Sequence, residues 1–185
     1  EISACLVGSE MCIRDRIKAI AQELSHPEII AERVESLKKA LSEKSLENAE
    51  NMLLYLERLD FIGDILPQQI KDASRFVKKL SAPLKAQTSG EYEKLAVYFV
   101  YRYFLKAVRD FDLLSKIKAM IVFVFAAEVI NLSREQDAHA RFETVKELCK
   151  EIEYSGDNMD RIYDDSYLSD IFSDTSMLAL LEWTL

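Results

Sequence analysis

Glycine and proline almost vanish from this chain beyond its first sixteen residues. Only Gly63, Gly90, Gly156, Pro27, Pro67 and Pro83 punctuate residues 17–185. These residues terminate or kink regular backbone, so their scarcity leaves room for long uninterrupted helices. No segment alternates apolar and polar residues as a half-buried strand does, and no repeat period is visible. The expectation is an all-α fold, an irregular multi-helix bundle of about seven to ten helices.

The breaks and the apolar spacings place the elements. Ser25-His26-Pro27-Glu28 has a capping-box pattern with proline in the first turn, and predicts a helix to about Glu43 with Ile29, Ile30, Val34, Leu37 and Leu41 on one face. The next helix is expected from about Leu46 to Ile62, burying Leu46, Ala49, Leu53 and Leu56 and widened by Leu54, Leu59 and Phe61. A further helix carries Ile70, Phe76, Val77 and Leu80 and ends by Pro83; Lys85–Gly90 reads as a loop. Glu91–Asp110 predicts a helix dense in aromatics, and Leu113–Leu132 an apolar central helix. Ser133-Arg134-Glu135-Gln136 looks like a second capping box, opening a helix through about Tyr154, with Gly156 as a left-handed stop. Three shorter helices are expected in the tail, 157–185.

The opening stretch has a different origin. Leu6-Val7-Gly8-Ser9-Glu10-Met11-Cys12-Ile13-Arg14-Asp15 back-translates to CTC GTG GGC TCG GAG ATG TGT ATA AGA GAC, a transposon-based sequencing adapter in frame. Cys5 and Arg16 extend the match. Residues 1–16 are therefore expected to be a translated adapter, and 17–185 a single helical domain that is the C-terminal fragment of a longer protein.

Composition excludes several function classes. The net charge is −8, against the Lys/Arg surplus that a duplex nucleic-acid binder needs. The longest apolar run, Ala119–Ala127, is nine residues, whereas a bilayer span needs about 20. Of three cysteines, Cys5 and Cys12 fall in the opening stretch, leaving Cys149 and no disulfide framework or all-cysteine metal site. A lone thiol fits a reducing cytoplasm. A glycine-rich phosphate loop and a paired His/Cys metal spacing are both missing from the sequence. His26 and His139 sit at polar helix starts, where exposure or capping explains them.

Two constellations remain. In Tyr98-Phe99-Val100-Tyr101-Arg102-Tyr103-Phe104-Leu105-Lys106, Tyr98 and Arg102 are four apart on one helix face, and Tyr101 shares a neighbouring face with Leu105. A cation beside tyrosines can bind a carboxylate or stack on a planar ligand; the simpler outcome is an arginine paired to an acid on a neighbouring helix. In Glu147–Asn158, Glu147 and Glu151 align four apart, and Glu153 falls on another face beside Tyr154. An inward-facing acid there can pair with Arg102 or accept from a substrate ammonium, while a solvated acidic face is the plainer expectation. Cys149 reads as a small buried apolar residue. The acids Asp157, Asp160, Asp164, Asp165, Asp170 and Asp174 do not follow a calcium loop and read as solvated surface.

These segments are similar to a known family. Glu93-Lys94-Leu95 to Lys106-Ala107-Val108, then Asp110-Phe111-Asp112-Leu113-Leu114-Ser115-Lys116-Ile117-Lys118, resemble the C-terminal half of the flagellin lysine-N-methylase family. Arg134-Glu135-Gln136-Asp137, Lys150-Glu151-Ile152-Glu153-Tyr154-Ser155-Gly156-Asp157-Asn158-Met159 and Ile171-Phe172-Ser173 resemble its late segments. The resemblance covers about Leu53 to Ser173. It implies part of a bacterial cytoplasmic enzyme that methylates flagellin lysines with S-adenosylmethionine. It also implies a cysteine cluster holding a metal or iron–sulfur centre in a missing N-terminal part, so the fragment alone is expected to be inactive. No donor-binding loop is matched. Tyr98, Tyr101, Arg102, Glu153, Tyr154 and Asn158 are the candidate substrate or active-site-wall residues, chosen by motif position and polar character. The alternative function is a non-catalytic helical protein-interaction module, and exposed apolar surface is expected where a missing half would dock.

Overall fold

Asp112 starts the helix around which the rest is arranged. In the computed structural model its side chain accepts from Ser115 N at 3.1 Å. The helix then runs Leu113–Leu132 and closes on Ser133, whose Oγ donates to Ile130 O. The structure describes residues 44–84, 89–134, 137–181 and 183. Among them there is no strand, and seven helices of eight residues or more appear: α1 (44–56), α2 (Ile65–Val77), α3 (Ser89–Tyr103), α4 (Leu113–Leu132), α5 (Ala138–Leu148), α6 (Gly156–Leu168) and α7 (Asp174–Leu181). The all-α expectation holds.

The apolar run Ala119–Ala127 explains why α4 is central. Nearly every side of α4 is covered, and it packs against α2, α3, α5, α6 and α7. Phe123 and Phe125 are fully enclosed; burying such a ring contributes about 2–3 kcal/mol. Phe123 meets Phe99 of α3, and Phe125 meets Trp183. By contrast α2 is one-sided: Leu66, Ile70, Ala73 and Val77 are buried at four- and three-residue steps, while Lys71 faces water. No helix of the described residues is long and apolar enough to cross a membrane.

Several boundaries differ from the sequence expectations. Helix α1 stops at residue 56, short of Ile62, after a tightened turn in which Arg58 N donates to Tyr55 O and Leu59 N to Leu56 O. Beyond it the amides of Asp60 and Ile62 are taken by side chains of Asn158 and Glu151. Local helix propensity loses there to tertiary hydrogen bonds. Leu54, expected inside, is exposed. Ser89 and Gly90 begin α3 rather than close a loop. The helix predicted over Glu91–Asp110 ends at Tyr103, passes into a 3₁₀ turn, Phe104–Lys106, and resumes for Ala107–Asp110. Phe111 stops it in the left-handed region, at φ 57°.

Ser133 caps the end of α4, so it does not open a capping box; Asp137 caps α5 instead, accepting from Ala140 N at 2.9 Å. Gly156 is no left-handed stop. It is the first residue of α6, whose cap is Ser155, and no described glycine has positive φ. The tail does carry three helical pieces: α6, a 3₁₀ turn Asp170–Phe172, and α7. The helix expected over Ser25–Glu43, the adapter boundary at residue 16, His26 and Lys85–Thr88 lie outside the described residues.

Candidate functional site

A π-turn positions the acid at the centre of the candidate site. After α5 the backbone widens over Cys149–Glu153, with Tyr154 N donating to Cys149 O at 2.9 Å, five residues back. Such insertions shift the helical register and often mark functional positions. The shift here leaves both Glu151 and Glu153 buried, so the solvated acidic face expected at this segment is not what forms.

Glu153 sits against the aromatic stretch of α3. Its Oε1 accepts from the Tyr98 hydroxyl at 2.7 Å and the Tyr103 hydroxyl at 2.6 Å. Arg102 Nε stands 2.7 Å from the same oxygen as an ion pair and donates its N–H to the Tyr103 hydroxyl at 3.2 Å. The carboxylate is fully enclosed, whereas Arg102 is 41% exposed. The guanidinium lies 5.3 Å from the Tyr154 ring centre, 5.7 Å from Tyr98 and 5.6 Å from Tyr103, within cation–π range of all three. Burial, and then the hydrogen bond to Glu153, push both tyrosine hydroxyls far above their usual pKa. The same two causes push the Cys149 thiol to about 12, making it a poor nucleophile. Glu153 Oε2 is buried without an N–H or O–H partner.

Of the six candidates, four meet here: Tyr98, Arg102, Glu153 and, through its ring, Tyr154. Tyr101 does not; it points to water at 78% exposure. Asn158 is buried beside the cluster but committed elsewhere. It accepts from Asp60 N at 3.0 Å and donates to Asp60 O at 2.7 Å and Glu151 O at 2.9 Å, pinning the α1–α2 connection to α6. The plainer expectation for Arg102, an arginine paired to an acid on a neighbouring helix, is what forms. The residue missed was Tyr103. Five positions from Tyr98, it fell off the four-residue spacing that selected the face, yet its ring stacks on Phe99 and its hydroxyl reaches the same oxygen. His139 is exposed at the start of α5, and the tail acids are exposed except Asp165, which accepts from Tyr55 at 2.9 Å.

Glu153 Oε1 is saturated within the cluster, and Oε2 is the oxygen left without an N–H or O–H partner. The one carboxylate that could hold a substrate ammonium already holds Arg102, and Asn158 has no amide group to spare. An S-adenosylmethionine sulfonium does not fit among these residues as they stand. Among the described residues no group of three His, Cys, Asp or Glu could hold a metal ion. A cavity of about 380 Å³ does exist, between the start of α3, the end of α4 and the start of α5. Leu95, Phe142 and Val145 make it apolar, Asn131 and Tyr92 meet at 3.1 Å in its wall, and the Glu91–Arg141 ion pair stands on its rim. None of the six candidates lines it. No protein-family model matches the chain, and no curated protein or solved structure matches it.

Proposed function

We propose that this chain is the helical part of a protein-lysine N-methyltransferase acting on flagellin, and that it forms a rigid wall rather than the methyl-transfer centre. One observation supports the assignment of role. Two of the segments that carry the family resemblance, 93–118 and 150–159, pack on each other through Tyr98, Arg102 and Tyr103 on one side and Glu153 and Tyr154 on the other. That contact pairs a buried carboxylate with a guanidinium and two hydroxyls through Oε1, which suits a positioning wall. In this reading S-adenosylmethionine and any metal or iron–sulfur centre are held by residues other than those of this cluster, and the enzyme works in the bacterial cytoplasm.

The test is mass spectrometry of flagellin incubated with donor and either the intact gene product or this chain. The intact product is expected to add methyl mass to lysine, and this chain none. Absence of added mass with a folded, donor-bound intact product overturns the reading, as does methylation by this chain alone. A second reading, a non-catalytic interaction module, is favoured by the exposed apolar side chains Val97 and Tyr101 of α3 and Leu105 and Val108 just beyond its end.

A further inference from the structure

The cavity between α3, α4 and α5 is lined by none of the residues that hold Glu153. Two helices turn one stripe each toward it. From α3 come Glu91 and Leu95, four apart, and from α5 come Ala138, Phe142 and Val145 at four- and three-residue steps. Asn131 closes it from the end of α4. Leu95 and Val145 are half-buried and pack on the core, whereas the Phe142 ring is 65% exposed.

Polar contacts fix these walls in place. On the rim Arg141 donates to both oxygens of Glu91, from Nε at 2.8 Å and from Nη2 at 2.7 Å, and so ties α5 to α3. In the wall the buried Asn131 donates to the buried Tyr92 hydroxyl at 3.1 Å and ties α4 to α3. The cavity is therefore formed without a ligand, as binding clefts usually are. Among the described residues its mouth carries balanced charge. Hydrogen bonding by Arg141 first, and then the charges of Arg141 and Lys94 against the opposing effect of burial, hold the Glu91 carboxyl below its usual range. Arg141 is held above its own range chiefly by the hydrogen bond to Glu91, and further by the charges of Glu91 and Asp137. Two acids thus stand against two cations.

We infer that this cavity binds an uncharged, largely apolar small molecule of about two rings. Its volume is about 380 Å³, and a cavity of about 150 Å³ already accepts benzene. The balanced mouth gives an ion no net attraction. A charged ligand would shed its water against Leu95, Phe142 and Val145 without gaining a counter-ion. The Tyr92–Asn131 pair is the polar spot in the wall and suits a single ligand hydroxyl. The inference stands independently of the methyltransferase reading.

The experiment uses the full chain and three naphthalene probes that differ in charge at neutral pH: naphthol, naphthoate and naphthylmethylammonium. Isothermal titration calorimetry is expected to show saturable binding of one naphthol per chain, and at least about tenfold weaker binding of both ions. Phe142→Ala removes an exposed ring from the wall and is expected to weaken naphthol about tenfold. Ala138→Phe puts a ring into the mouth from an exposed position and is expected to weaken it at least as much. Unchanged circular dichroism and Trp183 fluorescence confirm that each variant keeps the fold. The inference is overturned if naphthol does not saturate, if either ion binds as tightly as naphthol, or if either variant binds naphthol as tightly as the native chain.

Discussion

Replacing Glu153 by alanine asks what holds α3 to the π-turn. The carboxylate serves two hydroxyls and one guanidinium through a single oxygen. Removing it strands the Tyr103 hydroxyl, which is buried, and the Tyr98 hydroxyl, which is partly so; each loss costs about 1–2 kcal/mol. Arg102 suffers less, because a guanidinium 41% exposed can turn to water. Relief from burying a carboxylate offsets part of the loss. The net expectation is about 3 kcal/mol for Glu153→Ala, about 1 for Tyr98→Phe or Tyr103→Phe, and below about 1 for Arg102→Ala. The chain has one tryptophan, Trp183, wholly buried against Phe125, so its fluorescence reports unfolding. With a urea dependence of about 2 kcal/mol per molar, the Glu153→Ala midpoint falls by about 1.5 M. The double variant Tyr103→Phe/Glu153→Ala should cost less than its singles combined, by about 1 kcal/mol. If Arg102→Ala costs as much as Glu153→Ala, the ion pair and not the hydroxyls holds the cluster, and the reasoning fails.

Other perturbations bear on neighbouring contacts. Burial alone would raise the Asp112 carboxyl, but hydrogen bonds from Ser115 and Tyr167 and the charge of Lys116 hold it down at about 2. Its contribution is therefore present above about pH 4 and lost as pH falls toward 2. Asp112→Asn should flatten that acid limb by about 1–2 kcal/mol in urea titrations at successive pH; an unchanged limb refutes the assignment. At Gly63 an added Cβ would sit 3.1 Å from Glu151 Oε1, whose other oxygen is fixed by Ile62 N at 2.7 Å. Gly63→Ala should cost about 1 kcal/mol, and the shorter acid in Gly63→Ala/Glu151→Asp should restore part of it. Asn158→Ala removes three hydrogen bonds at once, at about 2–3 kcal/mol, and hydrogen exchange at the Asp60 amide should accelerate; slow exchange in the variant would show that another group holds the turn.

What the sequence revealed depended on how local the cause was. The bounds of α4 were legible because an aspartate cap, a long apolar run and a polar exit all lie within the segment itself. The acid partner for Arg102 was legible as a type of contact, since a cation among tyrosines on a core helix needs a carboxylate nearby. The segment that supplies it was legible too, since Glu147–Asn158 was read as able to turn an acid toward Arg102 and Glu153 was a candidate; that Glu151 and Glu153 would both be buried was not, because nothing in Cys149-Lys150-Glu151-Ile152-Glu153 announces a five-residue step. Ser133 and Gly156 misled for one shared reason. Capping residues serve either side of a break, and only the register of the following helix decides which. Tyr103 was missed because a spacing rule compares Cβ positions, whereas a tyrosine hydroxyl reaches well beyond them.

The charged groups of α4 explain how an almost uniformly apolar helix keeps one rotational setting. Leucine, valine and phenylalanine pack on neighbours in several registers at similar cost, so burial alone leaves the azimuth loosely determined. The polar side chains remove that freedom, each in a different direction. Lys116, buried, reaches Asp110 at 2.8 Å and so ties the short helical piece that follows α3. Lys118 donates to Ser166 O of α6 at 2.9 Å and leans toward Asp174 of α7. Asn131, near the far end, donates to the Tyr92 hydroxyl of α3. A turn of α4 by one residue would rotate it about 100° and strand all three at once, each in a buried site where an unpaired polar group costs about 1–3 kcal/mol. Such penalties act against wrong registers more than they favour the right one, since apolar replacements of a buried pair are often neutral. The core sets how tightly these helices are held, and these polar contacts set which faces meet. Glu153 extends the same logic to α3: by holding Tyr98, Arg102 and Tyr103 on its own side, it leaves Val97, Val100 and Tyr101 as the face that α3 turns outward.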